Sequence, residues 1–393
     1  LGLSVKVAAE AGAARVLELR HRRGVLRTPA YAAPADFIDN RLLPPGSLGG
    51  LVELAVRRRP GDLRAIAMSE RLELSALMRQ ERLVKRIPGD HLVVAVPVLD
   101  VPQRDPVFPR HAEFYAGALS YLVFHPRVDV ACTPLVYGAS GETVKAVTVE
   151  FLESASSVET PVALGVSTNY PRWLRVELAR LFYERMASRL GNAEPGLICV
   201  DYASSNPVAR MLLHEWVLRL RLLLERELGT PVAVYAANTR HSKIPCPAPE
   251  RPARDLVSYH VGVDAAAPNR LQVRFSGSTV TGGPVEQPRL LIRETYTYVL
   301  ARKLYREGGL DALAREAGVD PGELRRRLRL VYLREASEAA RRLNTRLIIA
   351  EAGLLQRLIA EGEAERYLAS KKGYGMDPWI PIAVERARRL LGG

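Results

Sequence analysis

A (β/α)8 barrel of the TIM type, an α/β fold with a helical C-terminal extension, is what this sequence predicts, on three observations. Short apolar, β-branched runs recur at roughly 30-residue spacing between about residue 90 and residue 264. Longer amphipathic segments alternate with them, the order that produces parallel βα units. After about residue 285 the strand-like runs give way to apolar residues at three- and four-residue steps.

In chain order, the strand candidates are 92–99 (LVVAVPVL), 128–133 (VDVACT), 161–166 (PVALGV), 197–201 (LICVD), 232–237 (VAVYAA) and 256–263 (LVSYHVGV). All are apolar on both faces, as strands between a core and a layer of helices must be. Helices are expected over 110–124, 142–154, 171–190 and 207–228. Pro171 and Pro207 stand where a first-turn proline is tolerated, because that N–H has no helical partner. The last crossover carries Pro245, Pro247, Pro249 and Pro252, leaving room only for a short helix. Residues 1–90 then supply two further units, around 16–26 and 63–68. A doubly wound sheet is the rival, but the Gly-x-Gly-x-x-Gly of a dinucleotide site is absent. The glycine-rich stretch from Gly277 to Gly283 lacks a phosphate loop's lysine and reads as a loop or hairpin.

The expected C-terminal helices are 290–305, 310–317, 321–344, 347–361 and 381–391, so the barrel is assigned 1–284 and the extension 285–393. Ala314-x3-Gly318-x5-Leu324, followed by Arg325, Arg326 and Arg327, has helix-turn-helix spacing. An ordinary helical hairpin is the commoner source of that pattern.

The 393 residues include 56 Lys+Arg against 43 Asp+Glu, a formal charge of +13. Such a surplus favours polyanionic partners, nucleic acid first. Base composition, or heat adaptation through surface ion pairs, would also enrich arginine. The three cysteines (Cys132, Cys199, Cys246) are too scattered for a disulfide framework or a four-cysteine zinc site. No His-x-x-x-His occurs, so neither metal nor cofactor is expected. Without an apolar run of about 18 residues or a signal-like start, the expectation is a cytoplasmic protein with no membrane contact.

In such a barrel, chemistry belongs at the C-terminal ends of the strands. Reading off those ends gives Asp100, Thr133, Ser167, Thr168, Asp201, Asn238 and Asp264. Asp100, Asp201 and Asp264 would be the catalytic carboxylates of a glycosyl-transfer site, one attacking or stabilising the sugar centre and another moving the proton. The competing reading is structural, since Asp also ends strands as a turn former or helix cap. A Ser or Cys nucleophile lacks a Gly-x-Ser-x-Gly frame, and His241 and Ser242 are merely adjacent.

Four segments in order carry a resemblance. Ala14-Arg15-Val16-Leu17, with Arg23-Gly24-Val25-Leu26-Arg27-Thr28-Pro29-Ala30, is similar to an "A-R-x-G-x-L … G-x-x-x-T-P-A" opening. Val96-Pro97-Val98-Leu99-Asp100-Val101-Pro102 is similar to "V-P-L-D-I-P". The run from Pro161 to Arg175 looks like "P-V-Q-G-x-T-Y-P-D-L-R", and Pro231 to Asn238 stands where "P-V-H-L-F-G-A-G" is expected. Together they resemble the tRNA-guanine transglycosylase superfamily, its archaeal branch in particular.

The resemblance implies a barrel that exchanges guanine for a 7-deazaguanine base in tRNA through a covalent glycosyl-enzyme. Three departures bear on that chemistry. Ala67-Met68-Ser69-Glu70-Arg71 replaces the base-binding Asp-Ser-Gly, and the zinc-binding Cys-x-Cys-x-x-Cys is absent. Asp255-Leu256-Val257-Ser258-Tyr259 replaces "Asp-Leu-Phe-Asp-Ser", putting Ser258 in the nucleophile's place, with Asp264 the alternative nucleophile. Asn238, Ser167 and Thr168 would hold the base edge, and Arg172 or Arg175 a phosphate. Two other functions stand beside this enzyme: a non-catalytic tRNA-binding subunit, as a homodimer or paired with a true transglycosylase, and a barrel enzyme for a small phosphorylated or acidic metabolite.

Overall fold

The computed structural model describes residues 3–155, 158, 160–187, 196–240, 248–268, 287–329 and 333–392. The chain opens with an antiparallel meander of β1 (Ser4–Ala11), β2 (Ala14–His21) and β3 (Gly24–Arg27). The barrel unit expected at 16–26 is therefore corrected. Two-residue turns at 12–13 and 22–23 join these strands, and so tight a link can only reverse direction.

The cylinder begins with β4 (Ala30–Tyr31) and β5 (Ala33–Pro34), two halves of one strand. Between them the Ala32 N–H donates to the Ala266 carbonyl at 2.7 Å, and just beyond, Ala35 donates to the Glu53 carbonyl at 2.9 Å. There follow β6 (Leu51–Arg58), α1 (Pro60–Ala67), α2 (Glu70–Val84), β7 (Leu92–Asp100) and α3 (Ala112–Val123). Next come β8 (Val130–Cys132), β9 (Leu135–Tyr137), α4 (Gly141–Ser154), β10 (Val162–Ser167) and α5 (Arg172–Ala187). The wall ends with β11 (Leu197–Ser205), α6 (Met211–Leu228) and β12 (Ala233–Thr239); β13 (Glu250–Pro252) leaves it and β14 (Ala265–Pro268) rejoins it.

The order β4-β14-β12-β11-β10-β8-β7-β6-β5 is parallel at each pairing. Residues 30–34 pair with β14 on one side and β6 on the other, so the sheet closes on itself. β8 and β9 are likewise one strand, broken at Thr133 and Pro134 and continuing along β7. The result is a (β/α)8 barrel.

Two strand assignments are corrected. Residues 63–68 fall largely within α1, and the strand is β6, whose polar Glu53 and arginine end obscured it. Residues 256–263 form a buried 3-10 turn, Leu256–Val261, which Gly262 ends at φ +92°. A short apolar run does not distinguish a strand from a buried helical turn.

Beyond the cylinder, β15 (Arg289–Ile292) and β16 (Thr297–Leu300) form a hairpin that pairs with β13. With the short α7 (Ala301–Arg306), it replaces the helix expected over 290–305. Thr297-Tyr298-Val299 has the β-branched and aromatic character that suits a pleated surface. Then come α8 (Gly309–Glu316), α9 (Pro321–Arg327), α10 (Leu333–Ala360), α11 (Ala364–Ala369), α12 (Lys372–Gly375) and α13 (Trp379–Leu391). The helix boundary expected between 344 and 347 is corrected, since α10 runs through it. The Asn344 side chain serves β15 instead, accepting from Leu291 N–H and donating to the Arg289 carbonyl, both at 2.9 Å.

Two cores result. One fills the lumen with residues at every second strand position, such as Leu197 and Cys199 on β11 or Ala233, Tyr235 and Ala237 on β12. Leu3, Leu17, Leu19 and Leu26 of the meander belong to it, so the meander plugs the end where the strands start. The other lies between the wall and the helices. Among the described residues, no helix is long and apolar enough to cross a membrane.

Candidate functional site

With the N-terminal ends of the strands plugged by the meander, the mouth where chemistry belongs is the one where the strands finish. Leu197, Cys199 and Asp201 alternate inward on β11, which places Asp201 at that mouth. Its carboxylate is completely buried and accepts from four donors. Tyr137 O–H (2.7 Å) and Ser167 O–H (2.6 Å) reach Oδ2, while the Asn238 amide (3.0 Å) and Ala203 N–H (2.9 Å) reach Oδ1. Burial, and then the Asp201 charge, push the Tyr137 hydroxyl well above its usual pKa, so it remains a donor. Around this knot Ala203, Ser204 and Asn238 all adopt positive φ. Left-handed backbone at non-glycine residues is costly and persists where surrounding contacts enforce it.

Asp100 ends β7 on the same inner face. It accepts from Arg57 at 2.6 Å, and its side chain is 28% exposed. Ser167 and Asn238, expected to hold a base edge, are brought to Asp201 and donate to it. Some hydrogen-bonding capacity is left over. Thr168 Oγ1 and Asn238 Oδ1 are buried at the mouth without a partner among the described residues. Such groups call for a ligand or water.

Asp264 is the main correction. It precedes β14 and pairs with Val234, whereas Asp201 pairs with Ala237, three positions nearer the mouth on the same neighbour. Arg15 of β2 grips it from two nitrogens (2.8 and 2.9 Å), Val234 N–H donates to it at 2.7 Å, and Arg15 also reaches Glu225 at 2.7 Å. Burial opposes the Arg15 charge, yet Asp264 and Glu225 outweigh it and raise the guanidinium's pKa. The three acids therefore do not share one rim. Asp264 locks the plug to the wall.

Ser258 sits on the buried turn that leads into β14, not at the mouth. Asp255, on the same turn, is buried beside Tyr298, whose hydroxyl donates to it at 2.7 Å; burial pushes its pKa up to about 6. Cys132 and Cys199 are buried free thiols. Cys246, His241, Ser242 and the 277–283 stretch lie outside the described residues. Among the described residues no group of His, Cys, Asp and Glu is arranged to hold a metal ion.

The mouth's rim is basic. Arg57 and Arg58 end β6, and the segments leaving the strands carry Arg59 after β6, Arg104 and Arg110 after β7, Arg172 and Arg175 after β10, Arg210 after β11 and Arg240 after β12, each at least partly exposed. Arg172 and Arg175, expected to meet phosphate, stand on the rim at the start of α5. Sequence reading missed Tyr137 and Arg57 as partners of the mouth acids. Period-two alternation along β6 and β7 offered a signal for Arg57, while Tyr137 follows a strand break that no local pattern marks. Compared with known protein families and with curated proteins, the chain matches none.

Proposed function

We propose that this chain is a transglycosylase-like barrel that holds tRNA without exchanging its bases on its own. The observation that carries this reading is the make-up of the mouth: an arginine rim around a partly exposed strand-end carboxylate, Asp100, already paired with Arg57. Glycosyl exchange through a covalent intermediate needs two working carboxylates. Asp201 has its oxygens engaged by four donors, and Asp264 is spent at the plugged end. Binding needs only what the mouth retains. The rim arginines neutralise phosphates, and Thr168 and Asn238 offer spare polar atoms to a base edge.

The test is tRNA binding across a salt series beside a base-exchange assay with labelled guanine. Affinity should fall steeply and log-linearly with salt, with no guanine incorporated by the protein alone. Salt-indifferent affinity would remove the RNA reading, and incorporation would restore the enzyme.

A further inference from the structure

We infer that the rim beside α4 takes an unpaired run of RNA, with bases stacked on Phe108 and Trp173 and the intervening phosphate held by Arg172 and Arg175. This rests on the RNA-binding reading above and adds which part of the RNA is gripped.

Phe108 is 46% exposed and Trp173 52%, although apolar rings of this size are ordinarily packed away. Both stand on segments leaving barrel strands, Phe108 after β7 and Trp173 in the first turn of α5 after β10. The first turn of α4 lies between them. Thr143 Oγ1 donates to the Val107 carbonyl at 3.2 Å, tying the Phe108 segment to one side. On the other side the Trp173 ring lies against Gly141, where a Cβ would overlap it. The segments that carry both rings are thus tied to the first turn of α4.

The charges fit a polyanion. The Arg110 guanidinium lies 5.3 Å from the Phe108 ring centre, and that of Arg175 lies 5.2 Å from the Trp216 ring centre. Two nitrogens of Arg175 are buried without a partner among the described residues. Burial and the neighbouring Arg172 charge both oppose protonation of Arg175. Elsewhere on α5, by contrast, Arg180 is neutralised by Glu177 and Glu184. Two adjacent cations, of which Arg172 is exposed, suit a phosphate. Exposed rings beside them suit bases whose faces are free. Duplex RNA hides those faces within its stack, so the occupant is single-stranded.

The experiment measures binding of a short oligoadenylate, and of an RNA duplex of equal length, to the intact protein and its variants. Phe108→Ala and Trp173→Leu should each weaken oligoadenylate binding by about five- to a hundred-fold while duplex affinity changes by less than about two-fold. Their salt slopes should match the parent's. Arg172→Ala with Arg175→Ala should lower the slope by about 2. Leucine at 173 keeps an apolar side chain over Gly141, and an unchanged thermal midpoint confirms that the fold is intact. Aromatic variants that bind like the parent, or a parent that prefers duplex, would overturn the stacking site and leave the RNA reading standing. A parent that binds neither RNA would overturn both.

Discussion

Asp201 shows how one residue's chemistry is set by its neighbours. A carboxylate with no solvent access would be costly alone, but four donors repay its desolvation and stitch β9, β10, β11 and β12 together at the mouth. Asp201→Ala should strand those donors and cost about 3–5 kcal/mol in urea unfolding. A loss below about 1 kcal/mol would mean that the knot is not structural. From sequence, Asp201 is legible as a mouth residue, since it ends an apolar run of alternating inward positions. Its saturation is not, because Tyr137 lies 64 residues away in the chain.

Among elements, the meander and the last wall strand are joined by the Arg15–Asp264 pair. Removing one partner leaves an uncompensated buried charge, so Asp264→Ala should destabilise the fold by about 3–5 kcal/mol. The folded fraction should keep its RNA affinity, because the pair lies at the plugged end. Replacing both residues, as Arg15→Met with Asp264→Leu, should recover most of the loss. A selective effect of Asp264→Ala on RNA binding, without destabilisation, would contradict this placement. The helix-turn-helix spacing at 314–324 is also an element-level result. Ala314 and Leu324 are fully buried and Gly318 takes φ +63°, so α8 and α9 do pack as a tight hairpin. Arg325 and Arg326 are exposed but answered by Asp311 and Glu323, which suits a solvated face.

For the whole molecule, acid stability follows from three buried groups. Burial lowers the pKa of His214 and of His260 to about 4, and raises that of Asp255 to about 6. The histidines are neutral when folded, so their contribution is intact above about pH 6.5 and is lost as pH falls toward 4. Asp255 works in the opposite sense: its contribution is present below its unfolded value near 3.8 and is lost as pH rises through 6. Two histidines outweigh one acid, so the protein should be about 2–3 kcal/mol less stable at pH 5 than at pH 7. Neither ring nitrogen of His260 has a partner among the described residues. His260→Leu should therefore reduce that difference to about 1 kcal/mol or less without harming stability at pH 7. Equal pH slopes for parent and variant in urea titrations would refute the assignment.

What the sequence determined by itself was the architecture of the middle of the chain. Buried parallel strands must be apolar throughout and their crossover helices amphipathic, and both patterns are local. The ends escaped local reading. The wall strand at 30–34 is set by the two edges it closes, the meander at 4–27 by the end of the lumen it fills, and the turn at 256–261 by its burial against the rest of the fold. Only the tertiary structure decided the site. A strand's residues face the lumen or the helices by its register, and whether an acid lies at the mouth or the plug depends on where its strand begins. That is why Asp100 and Asp201 reached the opening while Asp264, equally plausible in sequence, serves at the other end.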